Sequence, residues 1–194
     1  MISLVLVVLA APPEDAPFKF VEEVGDIRVE ARPREGSDFS ELRLSTVTNV
    51  TVDALCTAAF GDGSIPPGDP YVRERRVLRE VSRDERIMYD RVVPPLVSER
   101  DYAVRVKRER GQTNCVVKFD LANEAAPPPV ADRVRLPRLT ITWRFEKNAE
   151  GKTTVVYTAH SEPGGSVTAF ISEGPRRKTE IDVVRRTLKR ASGI

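Results

Sequence analysis

At 194 residues the chain can bury a full core without metals or disulfides, and it holds one ordinary domain with room for a leader. Its 31 Lys and Arg against 29 Asp and Glu leave a net charge of only +2, which excludes a molecule that binds polyanions over its whole surface. The charge is uneven. From Gly164 onward seven basic residues meet three acidic ones, while the rest of the chain is slightly acidic. That basic segment reads as a solvated face or as a contact for an anionic membrane surface. No aromatic side chains interleave with the charge, so nucleic acid is not an expected partner.

Met1–Ala11 reads MISLVLVVLAA, too short to span a bilayer. It has the character of a signal peptide or other apolar leader, although no Lys or Arg precedes it, and a buried N-terminal strand is the competing reading. Residues 12–17 are a linker, and 18–194 form the domain. Export to the periplasm or medium follows if the leader is a signal peptide; otherwise the protein is cytoplasmic. Cys56 and Cys115 sit in apolar settings without metal-ligand spacing and read by default as two buried thiols, with a disulfide left open because it needs an oxidising compartment and close Cα atoms.

Along the domain, Phe18–Val24 and Ile27–Arg32 are short β-like runs around a Gly25-Asp26 turn, and Glu41–Val50 is a third. Thr51 or Asp53 caps a short helix that stops by Phe60, because GDGSIPPGDP follows. Strands are expected over Tyr71–Val81, Glu85–Val93, Arg100–Glu109, Cys115–Ala122, Val134–Glu146 and Thr153–Ser161, with connections short enough for antiparallel hairpins. Ile87, Tyr89 and Val93 share one phase, with Arg91 among them. Tyr102, Val104 and Val106 share another, and Ile141, Trp143 and Phe145 a third. One-faced alternation means that one side of the sheet is covered and the other is wet.

The last segment places Val167, Phe170, Ile171, Ile181, Val184 and Leu188 at helical spacing, with Ser166 as the cap expected from sequence. Gly174-Pro175 interrupts it, so a kink or split is expected there. The sum is an α+β fold, a curved antiparallel sheet of about seven strands wrapped around a long C-terminal helix. A bent sheet gripping one helix tends to leave an internal cavity. The first half of the helix is expected to cover it, while Arg176, Arg177, Lys178, Arg185 and Arg186 face solvent or a membrane.

Catalytic signatures are missing. The one histidine, His160, reads as a surface or rim residue, and a lone histidine has no partners for a zinc site. No nucleophile elbow, phosphate loop or dinucleotide fingerprint occurs. No metal and no cofactor are expected.

The order of pieces resembles a known family. Val77-Leu78-Arg79-Glu80-Val81, then Glu85–Val93, then Pro95-Leu96-Val97-Ser98-Glu99-Arg100-Asp101-Tyr102, then Leu139–Trp143, the strand through Tyr157 and Glu162-Pro163-Gly164-Gly165-Ser166 are similar to the steroidogenic-acute-regulatory-related lipid-transfer (START) family. Glu162 stands where the family usually has Asp. The resemblance implies a helix-grip fold, an internal cavity gated by the C-terminal helix, and non-catalytic binding or transfer of a lipid. A monomer is expected. The expected lining is Tyr89, Arg91, Val93, Leu96, Tyr102, Val104, Ile141, Trp143 and Tyr157 from the strands, with Val167, Phe170 and Ile171 from the helix. The alternative is a helix-grip cyclase or aromatase acting on a polyketide-like substrate through Tyr89, Arg91 and Tyr102.

Overall fold

The computed structural model describes residues 16–94 and 98–193, with the backbone alone for 169–172. The apolar leader and Leu96 lie outside the described residues. Ten strands form one sheet. They are β1 (Lys19–Val24), β2 (Ile27–Arg32), β3 (Glu41–Thr48), β4 (Val72–Ser82), β5 (Glu85–Val92), β6 (Arg100–Arg110), β7 (Asn114–Leu121), β8 (Val134–Arg135), β9 (Arg138–Lys147) and β10 (Thr153–Glu162). Among the described residues two α-helices accompany the sheet, α1 (Val52–Phe60) and α2 (Ala169–Ala191), with one short 3-10 turn at Asn123–Ala125.

The order across the sheet is β1-β2-β3-β10-β9-β7-β6-β5-β4, with β8 pairing in parallel to the start of β6. The sheet exceeds the expected seven strands: β1–β3 join it through β10, and β8 pairs separately with β6. Pro137 lies between β8 and β9, where the sequence suggested a single strand; proline cannot donate to a ladder. On β9, Trp143 and Phe145 are buried and Arg144 is exposed, as their alternation predicts.

Thr51 caps α1 by accepting from the Ala54 N–H, and Gly61 ends it at φ 67°, the left-handed region that suits glycine. α1 packs on α2 and on β7. There Cys56 and Cys115 form a disulfide, with Cα atoms 6.0 Å apart. This corrects the expectation of two free thiols. Both are fully buried, and they meet only because α1 folds back onto the start of β7.

α2 runs unbroken for 23 residues, about 34 Å, from the cap position Thr168 and through Pro175. The cap falls two residues beyond Ser166, and no split occurs at Gly174-Pro175. Ile181 and Val184 are buried in the core and Leu188 packs against it. Burying side chains of this size stabilises by about 1.5–3 kcal/mol each.

Candidate functional site

A cavity of about 1160 Å³ lies between the concave face of the sheet and the two helices. This exceeds the roughly 300–1,000 Å³ of ordinary ligand pockets. Its floor is apolar, with Val104 from β6, Phe119 from β7, and Leu139, Ile141 and Trp143 from β9. The Trp143 ring stacks on Phe145 with centroids 5.7 Å apart and meets Tyr157 at 4.4 Å.

The sequence expectations divide here. Tyr102, Val104, Ile141, Trp143, Tyr157 and Val167 line the cavity. Tyr89, Arg91 and Val93 do not. Tyr89 points outward, where its hydroxyl donates to Asp101 (2.9 Å) and accepts from Arg133 (3.0 Å). Arg91 lies against Glu74 (3.5 Å) and Glu99 (3.6 Å), and the Val93 N–H bonds to the Tyr71 carbonyl. Leu96 is outside the described residues, as are the side chains of Phe170 and Ile171.

The β5 phase is therefore inverted, with Met88, Asp90 and Val92 facing inward. The reason lies on the outer face. The segment after β7 folds over it, and Arg135 grips Asp101 there with two hydrogen bonds of 2.7 and 2.9 Å. Ile87 and Tyr89 are thereby buried without facing the cavity. Both phases of β5 carry apolar residues, so periodicity could not choose between them.

The inward phase delivers a group that sequence reasoning missed. Asp90 is 1 % exposed inside the cavity wall. Arg75 from β4 donates to it through Nε (2.7 Å) and Nη2 (2.6 Å), and the Tyr102 hydroxyl donates at 3.2 Å. Register places Asp90 opposite Tyr102, so both share one face. Burial pulls the Arg75 pKa down, but the paired bonds to Asp90 outweigh this and hold it above the usual arginine range. Burial and the Asp90 charge both raise the Tyr102 phenol. Three register shifts in β4 hide the phase of Arg75 in the sequence.

α2 supplies the roof with a polar stripe. Arg176, Thr179, Glu180, Val183, Arg186 and Thr187 line the cavity. Apolar periodicity marked the neighbouring stripe, which contacts the core. The expectation that Arg176 and Arg186 face solvent or a membrane is corrected: Arg176 bonds the Ser40 carbonyl and Glu173, and Arg186 reaches Asp69 at 3.5 Å. Lys178 and Arg185 are exposed, while Arg177 pairs with Glu22. The second half of the helix thus covers the cavity alongside the segment before α2. His160 is also not a surface residue; it is 6 % exposed and 3.1 Å from Ser37 Oγ. Burial, with Arg176 and Arg34 nearby, lowers its pKa.

Glu180 accepts from the Tyr157 hydroxyl. It faces the cavity yet lies deep in the fold, and burial raises its pKa against the opposing pull of Tyr157, Arg176 and Arg186. A carboxyl with a raised native pKa binds more protons folded than unfolded, so it subtracts stability as pH rises through that window. Glu180→Gln removes this titration. The variant should melt with the wild type near pH 4 and above it near pH 8. Thermal melts across pH check this; a gain that is constant with pH would contradict it.

At one end of the cavity Arg100 ties two distant segments together. Its Nε bonds the Pro163 carbonyl at 3.1 Å, Nη2 reaches the Gly164 carbonyl at 3.3 Å, and Nη1 holds Ser98 Oγ at 2.7 Å. Gly164 has φ +66°, and a Cβ there would sit 3.0 Å from Pro137 Cδ. Only glycine fits that turn without displacement. The Ser98–Tyr102 and Glu162–Gly165 pieces that carried the sequence resemblance are thus one spatial unit at the cavity rim. Among the described residues no cluster of His, Cys, Asp and Glu could hold a metal, and no helix is long and apolar enough to cross a membrane.

This is a START-type helix-grip fold, a curved antiparallel sheet holding a C-terminal helix over a cavity. Comparison with solved structures places the chain beside a STAR-related lipid transfer protein of Xanthomonas axonopodis, with a TM-score of 0.78 and 19% identity over 90% of this chain and 98% of that one. Human StAR-related lipid transfer protein 5 follows at 0.76 and 15%, over 93% and 89%. More distant is the Zhui aromatase/cyclase of Streptomyces, at 0.55 and 11%, over 78% and 93%. In sequence the chain is 22% identical to uncharacterized protein PA1579 of Pseudomonas aeruginosa over 158 residues, 80% of this chain and 77% of that one. No family model matches.

Proposed function

We propose that the protein binds a lipid or similar hydrophobic ligand in this cavity, without catalysis, and releases it by movement of α2 and the segment before it. The observation that carries the reading is an apolar floor of aromatic and aliphatic side chains beneath about 1160 Å³ of space. Each ligand CH₂ buried there contributes about 0.8 kcal/mol, so a modest apolar body binds with few polar contacts. The lipid transfer proteins of similar fold support the same reading. The cyclase alternative rested on Tyr89, Arg91 and Tyr102, and of these only Tyr102 faces the cavity. Gating by α2 is supported by Pro175, which lines the cavity inside the helix and lacks the N–H that would bond the preceding turn. The disulfide and the apolar leader together support an exported protein, and exposed basic residues of α2, among them Lys178, Arg185 and Lys189, support transient contact with an anionic membrane.

One preparation tests the reading. Protein produced from the full sequence should carry a co-purifying hydrophobic molecule, seen by mass spectrometry of an organic extract. The intact mass of the recovered chain reports whether the leader is removed. Reloaded with a fluorescent fatty-acid probe, Pro175→Ala should exchange it several-fold more slowly than wild type. An extract without ligand and a protein that takes up no apolar probe would overturn the reading; unchanged exchange in Pro175→Ala would overturn the gate.

A further inference from the structure

The polar groups of the cavity are not spread evenly over its wall. On one flank stand Arg75, Asp90 and Tyr102, from β4, β5 and β6. On the other stand Tyr157 from β10 and Glu180 and Arg176 from α2. Between them lie β9 and β7, whose inward residues Ile141, Trp143 and Phe119 offer an apolar surface. From β10 to β5 the sheet advances four strands, roughly 19 Å along its surface at about 4.8 Å per strand, and less across the concave side.

Each flank keeps unused hydrogen-bonding capacity. The Tyr102 oxygen donates to Asp90 and keeps its lone pairs. Opposite, Glu180 bonds Tyr157 through Oε2, which leaves Oε1 for a ligand. The Arg176 side chain is 10% exposed, and its Nε and Nη1 are buried without a partner among the described residues. Buried polar atoms of this kind are rare in native proteins unless something else satisfies them.

Charge is balanced on both flanks. Asp90 neutralises Arg75, and Glu173 and Glu180 accompany Arg176. Arg100 and Arg190 also line the cavity, away from the flanks, where neutral oxygens of Ser98, Pro163 and Gly164 hold Arg100 and the Ala58 carbonyl holds Arg190. A ligand whose charge fell on either flank would find no uncompensated counter-charge there, while neutral oxygens would find partners on each side. A lipid with one polar head satisfies one flank and leaves the other dry.

We propose that the cavity selects a neutral lipid with hydrogen-bonding oxygens at two opposite positions of an apolar body, one met by Tyr102 beside the Arg75–Asp90 pair and the other by Glu180 and Arg176. This rests on the reading of the cavity as a ligand site. It makes Glu180 and Arg176 specificity-determining residues carried by the moving helix, so that α2 closes on the distal oxygen.

The test is displacement of a neutral fluorescent fatty-alcohol probe by three competitors: a long-chain alkanol, the matched α,ω-alkanediol, and dodecanoate as a charged single-headed lipid. The diol should compete on the order of tenfold better than the alkanol, the gain expected of one buried hydrogen bond to a charged or polarised group. Glu180→Leu should bring the diol and the alkanol to near parity, and Glu180→Gln, which keeps an acceptor, should retain part of the preference. Equal binding of alkanol and diol by the wild type overturns the proposal without recourse to any variant. So does a diol preference that survives Glu180→Leu, or dodecanoate outcompeting both. If the alkanol binds and the preference is missing, the cavity reading stands and this one fails; if the protein takes up no probe or competitor, both fail.

Discussion

Asp90→Ala should destabilise the protein by about 3–5 kcal/mol, the largest effect of any single substitution in the cavity wall. The reason is what the substitution leaves behind. Arg75 is 17% exposed and donates two hydrogen bonds to a carboxylate that is 2% exposed. Removing Asp90 strands a guanidinium in a mostly apolar wall and costs the Tyr102 hydroxyl its acceptor. In a chain of this length the loss corresponds to a fall in Tm of roughly 6–20 °C. The double variant Arg75→Met/Asp90→Leu should recover most of it, because two apolar side chains need no pairing. Urea melts of the single and double variants check both halves. A single variant within about 1 kcal/mol of wild type would mean that water reaches Arg75 and screens it.

Removing the Cys56–Cys115 bond should cost roughly 4 kcal/mol by the chain-entropy estimate, since the partners lie 59 residues apart and the unfolded chain regains a long loop. The effect is also local. α1 lines the cavity through Ala54, Thr57, Ala58 and Phe60, and Phe60 is flanked by the guanidinium groups of Arg86 and Arg108, each 4.2 Å from its ring centre. The bond fixes α1 onto β7 while Arg190 bonds the Ala58 carbonyl from α2. Cys56→Ala/Cys115→Ala should therefore lower the urea midpoint and loosen probe binding. Reductant should bring the wild type to the same midpoint and leave the double variant unchanged. A wild type indifferent to reductant would show that the bond is not formed in solution.

These two effects fall on residues that the sequence did not single out for those roles, and the reason is the same in both cases. Asp90 sits in the phase of β5 that alternation assigned to the outside. Cys56 and Cys115 are remote in sequence, and no spacing rule joins a cysteine on a helix to one at the start of a strand. What was legible was local: the turn at Gly25-Asp26, Thr51 as the cap of α1, the alternation of Ile141, Trp143 and Phe145, and the order of motifs that resembles a lipid-transfer domain. Tyr102, Val104, Ile141, Trp143, Tyr157 and Val167 were also named for the cavity lining from sequence, and the structure puts them there.

The sequence by itself determined the strand series, the terminal helix and the rim glycines, because each depends on neighbours a few residues away. Only the tertiary structure decided which face of β5 meets the cavity and which stripe of α2 does. Apolar periodicity reports the side of an element that avoids water, and here two surfaces do so. Ile87 and Tyr89 are covered from outside by the segment after β7, and Ile181 and Val184 pack into the solid core. The cavity took the polar stripe of the helix instead, and with it Glu180 and Arg176. A space that holds a ligand need not be lined by the most hydrophobic face available, and that choice is made by packing between elements far apart in the chain.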